Sequence, residues 1–232
     1  MPAVTLPPRV THEGSGQQPS AGELPQAVYQ AKPSRPLKRA LDIALSVSGL
    51  ILLSPLLVGI SIAIKLTSKG HVLFRQERHG LNGNTFILYK FRSMYADRCD
   101  RSGVQQTVKG DRRITPVGRF LRQSNFDELP QLFNVLKGDM SIVGPRPHVP
   151  GMLANGMPYE QFDPLYQSRH QVRPGITGLA QANGFRGETR DPYAAHMRLY
   201  YDLTYIDKRS TWLDFKIIMA TLVREFIKGN GS

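Results

Sequence analysis

The sequence LDIALSVSGLILLSPLLVGISIAIKL, residues 41–66, decides the architecture because it contains the longest run without a charged side chain. The 22 residues from Ile43 to Ile64 carry no charge. A helix of about 20 apolar residues is long enough to cross the hydrocarbon layer of a membrane. The run therefore predicts a segment that inserts into a lipid bilayer.

Basic residues lie on both sides of this run: Arg35, Lys38 and Arg39 before it, and Lys65, Lys69 and Arg75 after it. Positive charge on both flanks favours both ends remaining on the cytoplasmic side. Pro55 follows Ser54 in the middle of the run, where proline removes a backbone donor and bends a helix. We therefore predict a re-entrant helix–break–helix over residues 37–66. A kinked full span and a buried helix of a soluble protein are the alternatives.

The composition limits the remaining possibilities. A chain of 232 residues fits one principal domain with appendages. A net charge of +12 predicts an anionic partner: nucleic acid, an anionic membrane or a phosphorylated substrate. Cys99 is the only cysteine, so an internal disulfide is impossible and a reducing compartment is expected. The six histidines lack zinc-site spacing, and no structural zinc is predicted.

Three regions follow from this pattern. Residues 1–36 are rich in Pro, Gly, Ser and Gln and predict a disordered tail, without the early apolar run of a cleaved signal peptide. Residues 37–66 form the predicted membrane hairpin, and residues 67–232 form the main predicted domain, on the cytoplasmic face, in which the acid pair Asp127–Glu128 is the candidate for catalysis. The expected class is α+β and mainly helical, in a monotopic membrane protein.

Local patterns predict the elements of the third region. His71–Arg78 and Thr85–Arg92 form a β-hairpin around His79–Asn84, whose Gly and Asn residues tolerate the positive φ of a tight turn. Residues 95–113 are polar and predict a loop or short helices. Val117–Leu136 is helical on both sides of an acid pair, with Pro130 in a first turn.

Two amphipathic helices are predicted near the C-terminus, over Tyr193–Lys208 and Trp212–Ile227. Their large apolar side chains recur at near-helical spacing: Met197, Tyr200, Tyr201 and Tyr205 in the first, and Trp212, Phe215, Ile218, Met219, Leu222 and Phe226 in the second. Such stripes face either a protein core or a membrane interface. The sequence leaves both interpretations open.

The acid pair Asp127–Glu128 is the strongest chemical signal. Adjacent carboxylates serve as a nucleophile, a base or metal ligands, and nearby guanidinium groups suit phosphate oxygens. The structural alternative is that both acids favour the dipole of a helix start, with Ser124 at the spacing of a capping box.

Two rigid turns add arginines to this signal. Gly144–Pro147 presents Arg146 at a defined angle, and Arg173–Gln181 begins with a second arginine. P-loop, dinucleotide-binding and serine-hydrolase glycine motifs are absent from the sequence. Acids, arginines and a membrane segment together favour phosphoryl transfer at a bilayer surface, by carboxylate attack on phosphorus and with Mg²⁺ neutralising the phosphates.

Four motifs in order carry a resemblance: Lys90–Met94, Asp127–Val135, Gly138–Pro147 and Arg173–Gly178. Together they resemble the bacterial sugar transferases, the monotopic polyprenyl-phosphate phosphoglycosyl transferases that begin exopolysaccharide, capsule or glycan assembly. The resemblance runs from Lys38 to the C-terminus and includes the Ser-Pro break, which makes a re-entrant hairpin in that family. The chain resembles the short form, without a multi-span N-terminal region.

The resemblance implies an enzyme at the cytoplasmic face of the bacterial inner membrane. It would move a sugar-1-phosphate from a UDP-sugar, such as a UDP-hexose, to undecaprenyl phosphate and release UMP. Asp127 would be the nucleophile that forms a phosphosugar–aspartate intermediate. Glu128 would assist through Mg²⁺ or by handling a proton, so that both acids are candidate metal ligands.

The same resemblance assigns phosphate binding to a set of cations: Arg146, Arg122, Lys90, Arg92 and Arg173. Each of them also fits a purely structural role. For Arg173 the sequence favours neither interpretation.

Two rivals belong to other functional classes. A non-catalytic basic membrane adaptor of polysaccharide assembly would need the cationic helices and not the acid pair. A nucleic-acid-binding protein is suggested by charge alone. The uncharged apolar run opposes it, and no nucleic-acid partner is expected. The sequence leaves the identity of the sugar and the oligomeric state open.

Overall fold

The structure is a computed structural model that describes residues 33, 35–98, 110–187, 189 and 191–228, with side chains described as far as residue 223. About half of this part is helical. The α-helices are α1 (Pro36–Leu52), α2 (Ser54–Thr67), α3 (Pro116–Gln123), α4 (Gln131–Lys137), α5 (Tyr159–Phe162), α6 (Leu179–Ala182), α7 (Pro192–Lys208) and α8 (Thr211–Lys228). The predicted α+β, mainly helical class is confirmed.

Helices α1 and α2 meet at the predicted break. Only Leu53 separates them, their axes are bent by 62°, and Pro55 lies in the first turn of α2. The hydroxyl of Ser54 donates to the carbonyl of Ile51 at 2.8 Å, which satisfies one acceptor left over at the end of α1. Within the described ranges no single helix is long and apolar enough to cross a bilayer, although this bent pair together reaches that length.

Polar side chains attach α1 to the rest of the protein. Asp42 is buried, and its carboxylate accepts from the Ser141 hydroxyl at 2.8 Å and from the Ile142 amide at 3.1 Å. Arg39 donates to the carbonyls of Val135 and Leu136 at the C-terminal end of α4. The apolar hairpin is therefore joined to the rest of the chain through the polar first half of α1.

Three two-stranded sheets occur in the described residues. β1 (Leu73–His79) and β2 (Thr85–Phe91) form the predicted antiparallel hairpin, with Leu73 opposite Phe91 and His79 opposite Thr85. Two further pairs were not predicted: the parallel strands β3 (Ser141–Val143) and β6 (Gly175–Thr177), and the antiparallel strands β4 (Leu153–Ala154) and β5 (Met157–Pro158). The predicted rigid turn Gly144–Pro147 directly follows β3, whereas the second predicted turn is wrong as a turn, because its residues form β6 and the start of α6.

The two C-terminal helices differ in what they cover. In α7, Met197 and Tyr205 are buried, so the core interpretation is confirmed for these two residues, whereas it is wrong for the exposed Tyr200. In α8, Ile217 packs into the cluster around Val143, and Ile218 packs against it. The other apolar side chains of the α8 stripe are exposed, namely Trp212, Phe215, Met219 and Leu222. For these four residues the core interpretation is wrong.

The remaining predictions concern single residues and short segments, and the structure tests only some of them. The capping-box hypothesis for Ser124 is wrong, because its hydroxyl donates back to the carbonyl of Phe120 in α3 at 2.9 Å. Nearly all of the predicted tail, residues 1–36, lies outside the described residues, as do Cys99, the side chain of Phe226 and most of the loop over 95–113.

The buried Asp42 carboxylate provides a test of how α1 is attached. Asp42→Ala leaves the Ser141 hydroxyl and the Ile142 amide without their acceptor, so we expect a loss of roughly 2–4 kcal/mol in the free energy of unfolding. Denaturant unfolding of the protein in detergent measures this. Asp97→Ala is the control, because that carboxylate is 76% exposed and its loss should cost less than about 0.5 kcal/mol. Equal effects of the two changes would show that Asp42 does not hold α1 in place.

Candidate active site

The acid pair lies in a short 3₁₀ turn, Phe126–Glu128, between α3 and α4. Asn125 precedes the turn with a left-handed backbone, φ 57°, which reverses the chain direction after α3. Asp127 and Glu128 are both buried, with 8% and 9% of their surfaces exposed. Burying two adjacent carboxylates costs several kcal/mol unless cations compensate them.

Glu128 has such compensation. Its Oε1 accepts from the Lys90 ammonium at 2.8 Å. The Arg146 guanidinium binds the same carboxylate with both of its terminal nitrogens, through Nη1 to Oε2 at 3.2 Å and through Nη2 to Oε1. Bidentate pairing of this kind fixes the orientation of both planar groups. Both oxygens of Glu128 are therefore engaged.

Asp127 has a different environment. Among the described residues, no side chain or backbone amide donates a hydrogen bond to its carboxylate. Lys90, Arg122 and Arg146 are nevertheless close enough for their charges to act on it. Asp127 thus faces a positive field with its oxygens available to an incoming group.

The two environments move the pKa values of the acids in opposite directions. Burial raises the pKa of Asp127, and the Lys90 charge offsets only part of this effect while the charge of Glu128 adds to it. Burial acts on Glu128 as well, but Arg146 and Lys90 outweigh it and hold the pKa of that carboxyl well below its ordinary value. Divergent pKa values in a pair of acids are typical of a division of catalytic roles.

The backbone that carries Arg146 is held by β3 and β6. The Gly144 amide donates to the Thr177 carbonyl, and the Gly175 amide donates to the Pro145 carbonyl, each at 2.9 Å. A Cβ atom on Gly144 would lie 2.5 Å from the Arg173 carbonyl oxygen, and one on Gly178 would lie 2.3 Å from the Gly144 oxygen. Only glycine allows the two chain segments to approach this closely.

A third cation, Arg78 on β1, supports the same turn. Its Nη1 donates to the carbonyl of Pro147 at 3.2 Å. Burial and the nearby Arg146 lower the pKa of Arg78 to about 10. The positive charge of Lys90, Arg78, Arg146 and the nearby Arg122 exceeds the negative charge of two carboxylates. This surplus favours the binding of an anion such as a phosphate.

Comparison with known proteins identifies the family. The model of the family described as bacterial sugar transferase matches residues 33–228, which includes every element described above. The chain belongs to the bacterial sugar transferase family. It is therefore an enzyme that transfers a sugar-containing group, and the hypothesis of a non-catalytic adaptor is not retained.

Several known proteins are similar in sequence to this sugar transferase. The exopolysaccharide production protein PSS of Rhizobium leguminosarum bv. phaseoli is 53% identical over 84% of the chain and 98% of its own length. An undecaprenyl-phosphate glucose phosphotransferase of Komagataeibacter xylinus is 50% identical over 83% of the chain and 36% of its own length. A UDP-glucose:undecaprenyl-phosphate glucose-1-phosphate transferase of Caulobacter vibrioides is 44% identical over 87% of the chain and 72% of its length. The chain thus spans nearly all of the first relative and about a third of the second.

Two of the predicted phosphate-binding residues of this sugar transferase donate hydrogen bonds to neighbouring chain segments and not to the acid pair. Arg92 donates to the carbonyls of Ser68 and Lys69, where it holds the chain after α2. The Nε of Arg173 donates to the Gly138 carbonyl at the end of α4. Both side chains stabilise neighbouring segments, while Lys90, Arg122 and Arg146 lie around the acids. Arg122 also donates to the Ser93 hydroxyl at 3.5 Å.

The charge of Glu128 is one cause of the raised pKa of Asp127, and this gives a direct test. In Glu128→Gln the neighbouring negative charge is lost and the nearby cations are left facing Asp127, so the pKa of Asp127 falls. Its carboxylate then persists to lower pH. Carbon-13 NMR titration of protein labelled at aspartate measures the shift. Asp97→Asn, which alters an exposed acid, should leave the titration of Asp127 unchanged. A constant or higher pKa in Glu128→Gln would contradict the proposed coupling of the two acids.

Proposed function

We propose that this sugar transferase moves a hexose-1-phosphate, such as glucose-1-phosphate, from a UDP-sugar to undecaprenyl phosphate and releases UMP. The product would begin the assembly of an exopolysaccharide. The observation that carries the proposal is the asymmetry of the acid pair. Glu128 is held by two cations, whereas Asp127 offers a carboxylate without a hydrogen-bond partner among the described residues. The names of the relatives supply the two substrates.

The proposed reaction has two displacements at one phosphorus atom. An Asp127 oxygen attacks the sugar-bearing phosphate of the UDP-sugar, a new O–P bond forms, and the bond to the bridging oxygen breaks to release UMP. An oxygen of undecaprenyl phosphate then attacks the same phosphorus, and the bond to Asp127 breaks. This restores the carboxylate and yields a lipid diphosphosugar. Splitting the transfer in this way means that the two substrates need not be bound together.

The surrounding cations would stabilise the negative charge that develops on the phosphate oxygens in both displacements. Arg146 and Lys90 hold Glu128, and the same groups lie close to Asp127, where charge develops on the phosphate oxygens. Arg122 adds a third positive charge on the side of α3. Preorganised charges of this kind stabilise a transition state without rearranging during the reaction.

Mg²⁺ fits this site as a partner of the substrate. In the described ranges, no group of three or more His, Cys, Asp or Glu side chains could hold a metal ion. Mg²⁺ is commonly bound through one or two carboxylates together with phosphate oxygens and water. Asp127 would supply the carboxylate, since Glu128 would first have to release Lys90 or Arg146. When bound, the ion would neutralise the diphosphate and ease the departure of UMP.

The proposed location is the cytoplasmic face of the bacterial inner membrane. The outer surface of the bent pair α1–α2 exposes large apolar side chains, among them Ile51, Leu52, Val58 and Ile62. Exposed apolar area of this extent suits insertion into lipid. The exposed stripe on α8, with Lys216 stacked on Trp212 at 5.4 Å, suits the membrane interface. Both features would bring Asp127 within reach of a lipid phosphate.

The covalent step is tested by trapping the phosphosugar–aspartate intermediate on the protein. Incubation with a UDP-sugar labelled in the β-phosphate, without lipid acceptor, should leave label on the protein and release UMP. Asp127→Asn should lose the label and reduce turnover about 10³-fold or more. Asp139→Asn is the matched control, because Asp139 lies in the neighbouring motif and binds Lys137 instead. Label retained on the Asp127→Asn variant would remove Asp127 as the nucleophile. A panel of UDP-sugars in the same assay identifies the donor.

The re-entrant hairpin is tested by labelling single cysteines in vesicles after Cys99→Ser. Probes at Leu37→Cys and Thr67→Cys, at the two ends of the bent pair, should both react from the cytoplasmic side only. Pro55→Leu restores a backbone donor at the break and should straighten the pair, so that one probe becomes accessible from the opposite side. Opposite accessibility in the protein with Pro55 intact would mean a full span.

A further inference from the structure

A buried ion pair, Arg169 with Asp202, lies outside the group of residues that surround Asp127 and Glu128. Arg169 comes from the 3₁₀ helix Tyr166–Gln171, and Asp202 comes from the middle of α7. Nε and Nη2 of Arg169 donate to one oxygen of Asp202 at 3.2 and 2.7 Å. Each side chain is only 2% exposed. Neither residue touches Asp127 or Glu128 among the contacts described above.

Arg169 also reaches the active-site turn. Its Nη2 donates to the main-chain carbonyl of Arg146 at 2.6 Å. The side chain of that same Arg146 binds Glu128 in the bidentate arrangement described above. A continuous series of contacts therefore runs from Asp202 through Arg169 and Arg146 to Glu128.

Asp202 balances more than one buried cation. Arg198, one turn earlier on α7, is buried and donates to the Gly187 carbonyl at 3.0 Å. The Asp202 charge acts on Arg198 as well as on Arg169. Next to Gly187, Arg186 donates to the Asn125 side chain, which directly precedes the turn with the acid pair. Both sides of the acid pair are thus connected to the same part of α7.

Stability alone is a poor explanation for this arrangement. Removing two charges from water costs several kcal/mol per ion, and apolar residues of similar volume often stabilise a core equally well. An ion pair of this kind does fix the orientation of its side chains. The planar guanidinium of Arg169 can bind Asp202 and still donate to the Arg146 carbonyl at a defined angle. A backbone carbonyl fixed in this way determines where the Arg146 side chain begins.

We propose that Arg169 and Asp202 are positioning residues of the transferase, which orient the Gly144–Pro147 turn so that Arg146 meets Glu128. The inference rests on the proposed function for its catalytic consequence. Its structural content, the link from Arg169 to Glu128, is independent of the substrate. Arg146 is the residue through which both act.

The test that is independent of activity is a titration of Glu128. Carbon-13 NMR of protein labelled at glutamate follows its carboxyl in the wild type, in Arg169→Lys and in Asp202→Asn. Lysine keeps the charge opposite Asp202 but lacks the fork that reaches two acceptors, and asparagine keeps the shape but removes the charge. If Arg146 is displaced from Glu128, the pKa of Glu128 rises in both variants. An unchanged pKa of Glu128 in Arg169→Lys would overturn the proposal, even if activity is lost.

Asp214→Asn is the matched control for burial. Asp214 is a buried carboxylate on α8 that accepts from the Tyr205 hydroxyl at 2.8 Å and pairs with Lys38 at 3.1 Å. Its replacement should lower the unfolding temperature while leaving the titration of Glu128 unchanged. If Asp214→Asn shifts that titration as much as Arg169→Lys does, the effect is a general consequence of destabilisation and the proposal fails.

Measurements of turnover test the catalytic consequence of the positioning role. We expect kcat/KM for UMP release to fall about 10- to 100-fold in Arg169→Lys, measured at a temperature where the variant is folded, because small displacements of a binding group have effects of this size. Arg146→Lys should then cost much less in the Arg169→Lys background than in the wild type, since both changes remove the same interaction. Independent, multiplicative losses of kcat/KM in the two variants would overturn the proposal.

Absence of UMP release by the wild type would refute the proposed function, while the Glu128 titration still tests the positioning role.

Discussion

The ion cluster of Glu128 with Lys90 and Arg146 is the constraint on which the catalytic domain depends. Burial alone would raise the pKa of this carboxyl, and the two cations at hydrogen-bonding distance keep Glu128 ionised, whereas the equally buried Asp127 lacks such partners and has a raised pKa. The two cations come from different parts of the chain: Lys90 from β2 and Arg146 from the turn after β3. The hairpin, the acid turn and the parallel strand pair must therefore take up one relative arrangement. That arrangement leaves Asp127, the neighbour of Glu128, with an available carboxylate.

The rigidity of the Gly144–Pro147 turn has two separate sources. On one side, the backbone of β3 lies against that of β6, at a distance that excludes a Cβ atom on Gly144 or Gly178. On the other side, the Arg169 guanidinium holds the Arg146 carbonyl. Prolines at 145 and 147 restrict the backbone between these supports. A long, flexible arginine side chain thus starts from a backbone that has little freedom, which reduces the entropy lost when it binds an anion.

Elements with a local pattern could be predicted from the sequence, and elements without one could not. The bent pair α1–α2, the hairpin β1–β2 and the helices α7 and α8 each have a periodicity or a break that short-range reasoning detects. The strands β3 and β6 are three residues long and far apart in sequence, so their pairing has no local signal. Motif positions located the cations but not the directions of their side chains, so the contacts of Arg92 with the chain after α2 and of Arg173 with the end of α4 could not be predicted.

The partly buried Arg78 and the buried Arg169 were missed for a related reason. A charged residue in a polar stretch normally predicts an exposed side chain. Only the folded chain shows that Arg169 is enclosed with Asp202, from another helix. In the observed hairpin Arg78 lies opposite Phe86, which is four residues before Lys90. The alternation of a strand places residues 86, 88 and 90 on one face. The predicted strand bounds did not fix this register, and a shift of one residue changes which face a side chain occupies.

The contact between α1 and β3 has a consequence for the order of biosynthesis. Asp42 leaves the ribosome with the apolar hairpin, but its partner Ser141 follows 99 residues later. Chain elongation at about 5–20 residues per second makes this interval last many seconds. At the proposed membrane location, the hairpin would enter lipid during that time, while its polar first half would stay hydrated and without its final partners. Insertion would then precede folding, and the later arrival of β3 would attach the rest of the chain to a segment already in place.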